Sequence, residues 1–214
     1  MSKLYRSNII VLLILAVLSA NAQQYPHEIV ISGGTGFALS NTALKNGINI
    51  GLKKADLDSK VHSTWMVNGM IDVAIKERIS VGIAYSHIQF EWADGYNDTI
   101  QGQPTIVNAK IAVQKRNYGI RGLYHFGKSE NLEFYVGGRL GMTHWIIDVD
   151  ADASVADKSP VSDFSLPATY PSIQVIGGVR HYFGRVYGWF GEIGVGTAPY
   201  FCSIGINIRP NPNK

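Results

Sequence analysis

Ile173-Gln174-Val175-Ile176-Gly177-Gly178-Val179-Arg180-His181-Tyr182-Phe183 is the stretch that decides the fold. Ile173, Val175, Gly177, Val179, His181 and Phe183 share one side of a two-residue period, and Gln174, Ile176, Gly178, Arg180 and Tyr182 share the other. After Gly184-Arg185-Val186 the period resumes, with Tyr187, Trp189, Gly191, Ile193 and Val195 against Gly188, Phe190, Glu192, Gly194 and Gly196. It resumes again after Thr197-Ala198-Pro199, with Tyr200, Cys202, Ile204, Ile206 and Ile208 against Phe201, Ser203, Gly205, Asn207 and Arg209. A helix would repeat every 3.6 residues, whereas side chains of a strand alternate between faces. These are therefore strands with one greasy face and one small or polar face. The decisive question is whether the greasy face meets a protein core or lipid.

The same alternation runs back along the chain. Strand one covers about Glu28 to Leu39, with Ile29, Ile31, Phe37 and Leu39 on its apolar face. Strand two covers about Thr64 to Ile75, and strand three starts at Ile79 with Val81, Ile83 and Tyr85 in phase. Beyond His87 the apolar phase flips to Ile88, Phe90 and Trp92, which implies either a one-residue bulge or a strand leaving the bilayer. Strand four is clearest from Asn117 to Phe126; its earlier part, with Lys110, Gln114, Lys115 and Arg116, is too charged for lipid. Strand five runs from Leu132 to about Ile146. Polar segments 40–62, 93–107 and 148–168 alternate with the short turns 76–78, 127–131 and 184–186.

An even strand count, short turns at one end and long loops at the other mark an outer-membrane barrel. The sequence therefore predicts an all-β fold, an eight-stranded antiparallel transmembrane β-barrel. Aromatics gather near strand ends, at Tyr85, Phe90, Trp92, Tyr124, Phe126, Phe134, Phe183, Tyr187 and Trp189, as a membrane girdle requires. The competing fold is a soluble exported barrel with its apolar face inward, binding an apolar ligand. Gly, Ala and Ser on the alternate face make a poor solvated surface and argue against it.

Lys3 and Arg6 precede an apolar run from Ile9 to Leu18, followed by Ser19-Ala20-Asn21-Ala22. This is the pattern of a cleaved secretory signal peptide, 1–22, leaving 23–214 as a single barrel domain. Without Lys3 and Arg6 the formal charge falls from +3 to +1, which gives no reason to expect a nucleic-acid partner. Cys202 is the single cysteine, so no internal disulfide is available.

The chain resembles the small outer-membrane β-barrel proteins of the OmpA/OmpX-like superfamily, in the generic outer-membrane β-barrel domain group common in Bacteroidetes-type bacteria. Gly177-Gly178-Val179-Arg180, Gly191-Glu192-Ile193-Gly194-Val195-Gly196 and Ser203-Ile204-Gly205-Ile206-Asn207-Ile208 carry the resemblance, which covers Glu28 to Arg209. It implies a fold and a location in the cell outer membrane, and no activity. The last strand departs from the family habit of a terminal aromatic, ending Ile208-Arg209-Pro210.

In the membrane register Asp72, Arg121, Glu133, Arg139, Arg180, Glu192 and Arg209 all point inward. We expect them to form a structural charge network, because an eight-stranded barrel is just wide enough to be filled by its own side chains. Turning the chain about Arg185 sets Gly178 opposite Glu192, with Arg180 as the diagonal neighbour of that carboxylate. A narrow pore for small solutes is the alternative use of the same charges. Of His27, His62, His87, His125, His144 and His181, the register puts His144 and His181 with the lipid face and points His125 inward near the short-turn end, where no serine shares its row convincingly. With no nucleophile–base pair, no enzyme is expected. Asp148-Val149-Asp150-Ala151-Asp152 opens like a calcium loop, but Ala153 and Ser159 stand where glycine and glutamate are needed. No metal or cofactor is expected. The expected partners are outer-membrane lipid and surface partners at the three long loops, with the barrel itself a monomer.

Overall fold

The computed structural model describes residues 26–38, 45–46, 49, 62–100, 103–126, 131–151, 169–197 and 200–210, with the side chains of 92–109 and 149–151 excepted. Segment 1–22, expected to be a signal peptide, most of 40–62 and residues 152–168 lie outside the described residues. Eight strands build the wall: β1 (Ile29–Phe37), β2 (Met66–Lys76), β3 (Ile79–Ile100), β4 (Gln103–Phe126), β5 (Leu132–Ala151), β6 (Thr169–Phe183), β7 (Tyr187–Gly196) and β8 (Cys202–Ile208). Each pairs antiparallel with the next. β8 returns to β1 from Ile31↔Ile208 to Phe37↔Cys202, so the sheet closes. A two-residue strand, His62–Ser63, adds to the outer part of β3.

Stepping across partners from Ile29 to Val73, Val81, Gly122, Gly138, Val175 and Val195, and on through β8, returns to β1 about ten residues along. That stagger tilts the strands of an eight-stranded barrel by roughly 40°. The outward face of β6 from Ile173 to Phe183 covers ten residue steps, about 33 Å along the strand at ~3.3 Å per residue. At that tilt it rises about 25 Å along the axis, the height of a lipid-facing band.

Ile83, Ile120, Leu140, Val175, Ile193, Val195, Ile204 and Ile206 are all exposed on this band, each at 55–69%. The greasy face therefore points outward, opposite to a soluble ligand-binding barrel. Tyr85 and Tyr118 pack at 5.1 Å toward its long-strand end, and Phe126 and Phe134 stack at 6.0 Å toward the short-turn end.

Small inward residues make the wall compatible with large fillers. Gly34 and Gly205 are direct partners across the β1–β8 seam. A Cβ on Gly205 would strike the Gly33 carbonyl and the Phe190 ring, a ring that is fully buried. Gly178 likewise leaves the space that the Tyr135 ring occupies.

Three expectations are corrected here. Segment 93–107 is no loop: β3 and β4 stay paired from Ile79↔Tyr124 to Ile100↔Gln103. Thr99, Ile100, Thr105, Ile106 and Val107 are β-branched and suited to such a ribbon. Residues 148–151 likewise continue β5, pairing as far as Ala109↔Ala151. Of the two readings of the phase change after His87, the bulge is set aside and the strand that runs on past the apolar band is kept, since the β3–β4 register is unbroken there. There Ile88 and Phe90 turn inward, while Tyr200, assigned to the greasy face from the sequence, is also buried inside. They join Met66, Ile111 and Val113 in an apolar cluster at the long-strand end of the lumen.

Candidate functional site: the barrel interior

The inward positions follow from strand alternation, and the structure shows what they meet. Of the seven charged residues expected inside, six, Asp72, Arg121, Glu133, Arg139, Arg180 and Glu192, are buried, and Arg209 is 9% exposed. Five of the six join a ladder of alternating sign. Glu192 Oε2 accepts from Arg121 Nη2 at 2.6 Å. Arg121 Nε lies 3.2 Å from Asp72 Oδ1, an ion contact without hydrogen-bond alignment. Asp72 also receives Arg180 Nη2. Arg180 Nη1 lies 3.5 Å from Glu133, which pairs with Arg209 at 3.4 Å, and Arg209 reaches Glu28 at 2.8 Å. The ladder ties β7, β4, β2, β6 and β5 together across the lumen and ends on the two residues that flank the β1–β8 seam.

Arg139 is held differently. Among the described residues it makes no ion pair; Nη2 donates to Asn117 Oδ1 at 2.6 Å and weakly to the Ala84 carbonyl at 3.3 Å. Asn117 in turn donates to Thr143 and Ser172, each at 2.8 Å. Gly178 does face Glu192 across the β6–β7 pair. Arg180, however, turns away from that carboxylate toward Asp72 and Glu133. A diagonal neighbour on the adjacent strand loses to partners across the lumen, because the carboxylates of β2 and β5 converge on the guanidinium there.

Tyr135 donates to Glu192 at 2.9 Å, and the Tyr200 hydroxyl donates to its other oxygen. Arg180 stacks over the Tyr135 ring at 4.8 Å. Arg209 lies over Tyr182 at 3.3 Å and occupies the end of the lumen where the described chain leaves the barrel. Sequence reasoning missed Glu28 as a member of this set. Its signal was the even spacing from Glu28 through Val30 to Ser32, which puts it on the inward face.

His125 carries the second correction. Its Nε2 lies 2.7 Å from Ser80 Oγ, and Nδ1 contacts Glu133. Ser80 is a diagonal neighbour on β3, since Leu123 is its direct partner. A search confined to His125's own row therefore passes over it. The order Ser–His–Glu is that of a nucleophile, base and orienting carboxylate. All three groups are buried under neighbouring lumen side chains, whereas attack needs a substrate atom within about 3.5 Å of the hydroxyl. The remaining histidines are elsewhere. His144 meets Thr169 at 2.8 Å, and His181 stacks on Trp189 at 6.1 Å on the outward face. His62 is exposed and His87 is half-buried on the outward face. Among the described residues no group of carboxylates, histidines or thiols is arranged to hold a metal ion.

Lys115 is a further inward cation, near the apolar cluster with its ammonium 5.4 Å from the Trp145 ring centre. It sits beyond the apolar band, beside outward Gln114 and Arg116, which bond to each other at 2.8 Å. Burial lowers its pKa to about 8.

Comparison with known proteins places the fold. The outer membrane protein OprG from Pseudomonas aeruginosa is similar at a TM-score of 0.50 and 9% identity, over 91% of this chain and 94% of that one. The N-terminal β-barrel domain of Pseudomonas aeruginosa OprF gives 0.43 and 11%, over 86% and 98%. Ail of Yersinia pestis, solved with the heparin analogue sucrose octasulfate, gives 0.36 and 8%, over 86% and 96%. No family model and no curated protein matches the chain. The likeness to OprG supports the fold: a closed, eight-stranded antiparallel barrel.

Proposed function

We propose that this protein is an integral outer-membrane barrel whose lumen is a solid plug, and that it acts structurally or through surface contacts at its long-strand end. The observation that carries the reading is the inversion of the two faces. An apolar band about 25 Å tall faces out, and buried Arg121, Asp72, Arg180 and Glu133 join hands inside. The termini then lie on the periplasmic side, and the β3–β4 ribbon projects from the cell. Extraction with a mild detergent tests the reading: the folded barrel runs ahead of the boiled chain on a gel. Identical migration of heated and unheated samples would contradict it.

The interior charges also favour a second reading, a narrow pore. The cross-lumen ion pairs support the plug instead, because a conducting path must displace Arg121 or Arg180 from buried carboxylates. Planar-bilayer recording decides between the two, with no stable conductance expected and steady channel openings counting against the plug. The Ser80–His125–Glu133 arrangement favours a hydrolase reading. On our proposal a fluorophosphonate probe leaves Ser80 unlabelled in the folded protein.

A further inference from the structure

Among the described residues the wall parts above the Gly36↔Met66 pair. β1 and β2 are paired as far as Gly36↔Met66, where Thr35 Oγ1 donates to the Met66 carbonyl at 2.8 Å. Beyond that point β1 stays with β8, as Phe201 N donates to the Phe37 carbonyl. The chain preceding β2 leans the other way, with Thr64 N donating to Gln89 of β3 at 2.9 Å. A cavity of about 710 Å³ fills the wedge between them, within the usual ligand-pocket range of about 300–1,000 Å³.

Its lining joins two environments. Ala38, Met66 and Phe90 are buried inside the barrel, whereas Phe37, Trp65 and Ile204 are exposed on the outer surface. The cavity therefore opens sideways onto the outer surface near the long-strand end of the apolar band. Further down the lumen lie Tyr200, Glu192 and Arg139, hydrogen-bonded and buried. The only charged residue lining the cavity, among the described residues, is Lys45.

We propose that this wedge is a blind docking site for the acyl chain of an anionic single-chain amphiphile drawn from the surrounding membrane. The inference rests on the outer-membrane reading above. Lipid tails are as apolar as the cavity wall, so burial of the chain alone selects nothing. Selection comes from the carboxylate or phosphate head held at the Lys45 ammonium while the tail lies against Phe37, Met66 and Phe90.

Cys202 supplies the readout, being the single thiol and part of the cavity lining. The protein is placed in zwitterionic nanodiscs, and alkylation of Cys202 by a small membrane-permeant maleimide is followed by intact mass. A long-chain fatty carboxylate should slow the reaction saturably, by about tenfold at ten times its dissociation constant. The same-length fatty alcohol should need a higher concentration. Lys45→Glu should weaken protection by the carboxylate about tenfold, or roughly one decade in dissociation constant, and leave protection by the alcohol unchanged. Unslowed alkylation with either amphiphile overturns the site, and protection indifferent to Lys45→Glu overturns the assignment of the head. Heat-modifiable migration in the same nanodiscs reports separately on the membrane-barrel reading, so failure of one is distinguishable from failure of the other.

Discussion

Asp72→Asn is the most informative single change in the ladder. Asp72 is buried and, among the described residues, is the one carboxylate that joins Arg121 to Arg180. Asparagine keeps the size of the side chain and removes its charge. At an effective dielectric of about 20, each close pair contributes on the order of 4 kcal/mol of attraction before desolvation is counted. Arg121 keeps Glu192 and Arg180 keeps Glu133, so neither cation is stranded. Contacts to two buried cations are lost at once, so the net loss should be about 3–5 kcal/mol, or roughly two to four decades in the ratio of folded to unfolded barrel. Urea unfolding in vesicles, scored by gel mobility, measures it. Adding Arg180→Met to Asp72→Asn should recover more than about 1 kcal/mol relative to additivity, because the two side chains are in direct contact. A variant within about 1 kcal/mol of the parent would refute the claim that the ladder holds the barrel together.

Two further outcomes follow from the same geometry. Arg209→Ala should lower the unfolding free energy by about 2–4 kcal/mol, since it leaves Glu28 without its 2.8 Å contact and bares the Tyr182 ring; thermal gel-shift curves would show it, and an unchanged midpoint would remove Arg209 as the lock on the seam. Lys115 has a pKa lowered to about 8 by burial, so the folded state holds fewer protons than the unfolded state between that value and the ordinary lysine pKa of about 10.4. Stability should therefore rise with pH across that window, and Lys115→Met should flatten the rise and stabilise the barrel near neutral pH by about 2 kcal/mol.

Much of the fold was legible because the side-chain period of a strand survives in the sequence. Ile173, Val175 and Val195 announced their face, and Arg180 and Glu192 announced theirs. Polar spacing alone did not fix loop ends. The acidic and glycine residues of 93–107 read as a loop, yet β3 and β4 remain paired through it. His87 shows a different limit. The sequence registers a phase change, but only the register reveals that the strand stays regular while the environment inverts: polar Gln89 faces out and Phe90 faces in.

The interior was legible as a set of residues and illegible as a set of pairs. Which strand faces which across a closed lumen depends on stagger, which no local pattern encodes. So Arg180 was assigned to the nearest carboxylate, Glu192, and meets Asp72 and Glu133 instead. Ser80 and His125 escaped for a related reason, because their 2.7 Å contact is diagonal between strands.

The central claim is that the greasy face meets lipid and the charged face meets itself. Spin labels placed singly at Ile204 and Ser203, in a Cys202→Ser background, test it most directly by relaxation in vesicles. Ile204 is 60% exposed and Ser203 is 5% exposed. The expected result is that the label at Ile204 collides freely with dissolved oxygen and is shielded from a water-soluble nickel chelate, while the label at Ser203 is shielded from both. Strong nickel relaxation at Ile204 would mean that this face meets water, and would contradict the account.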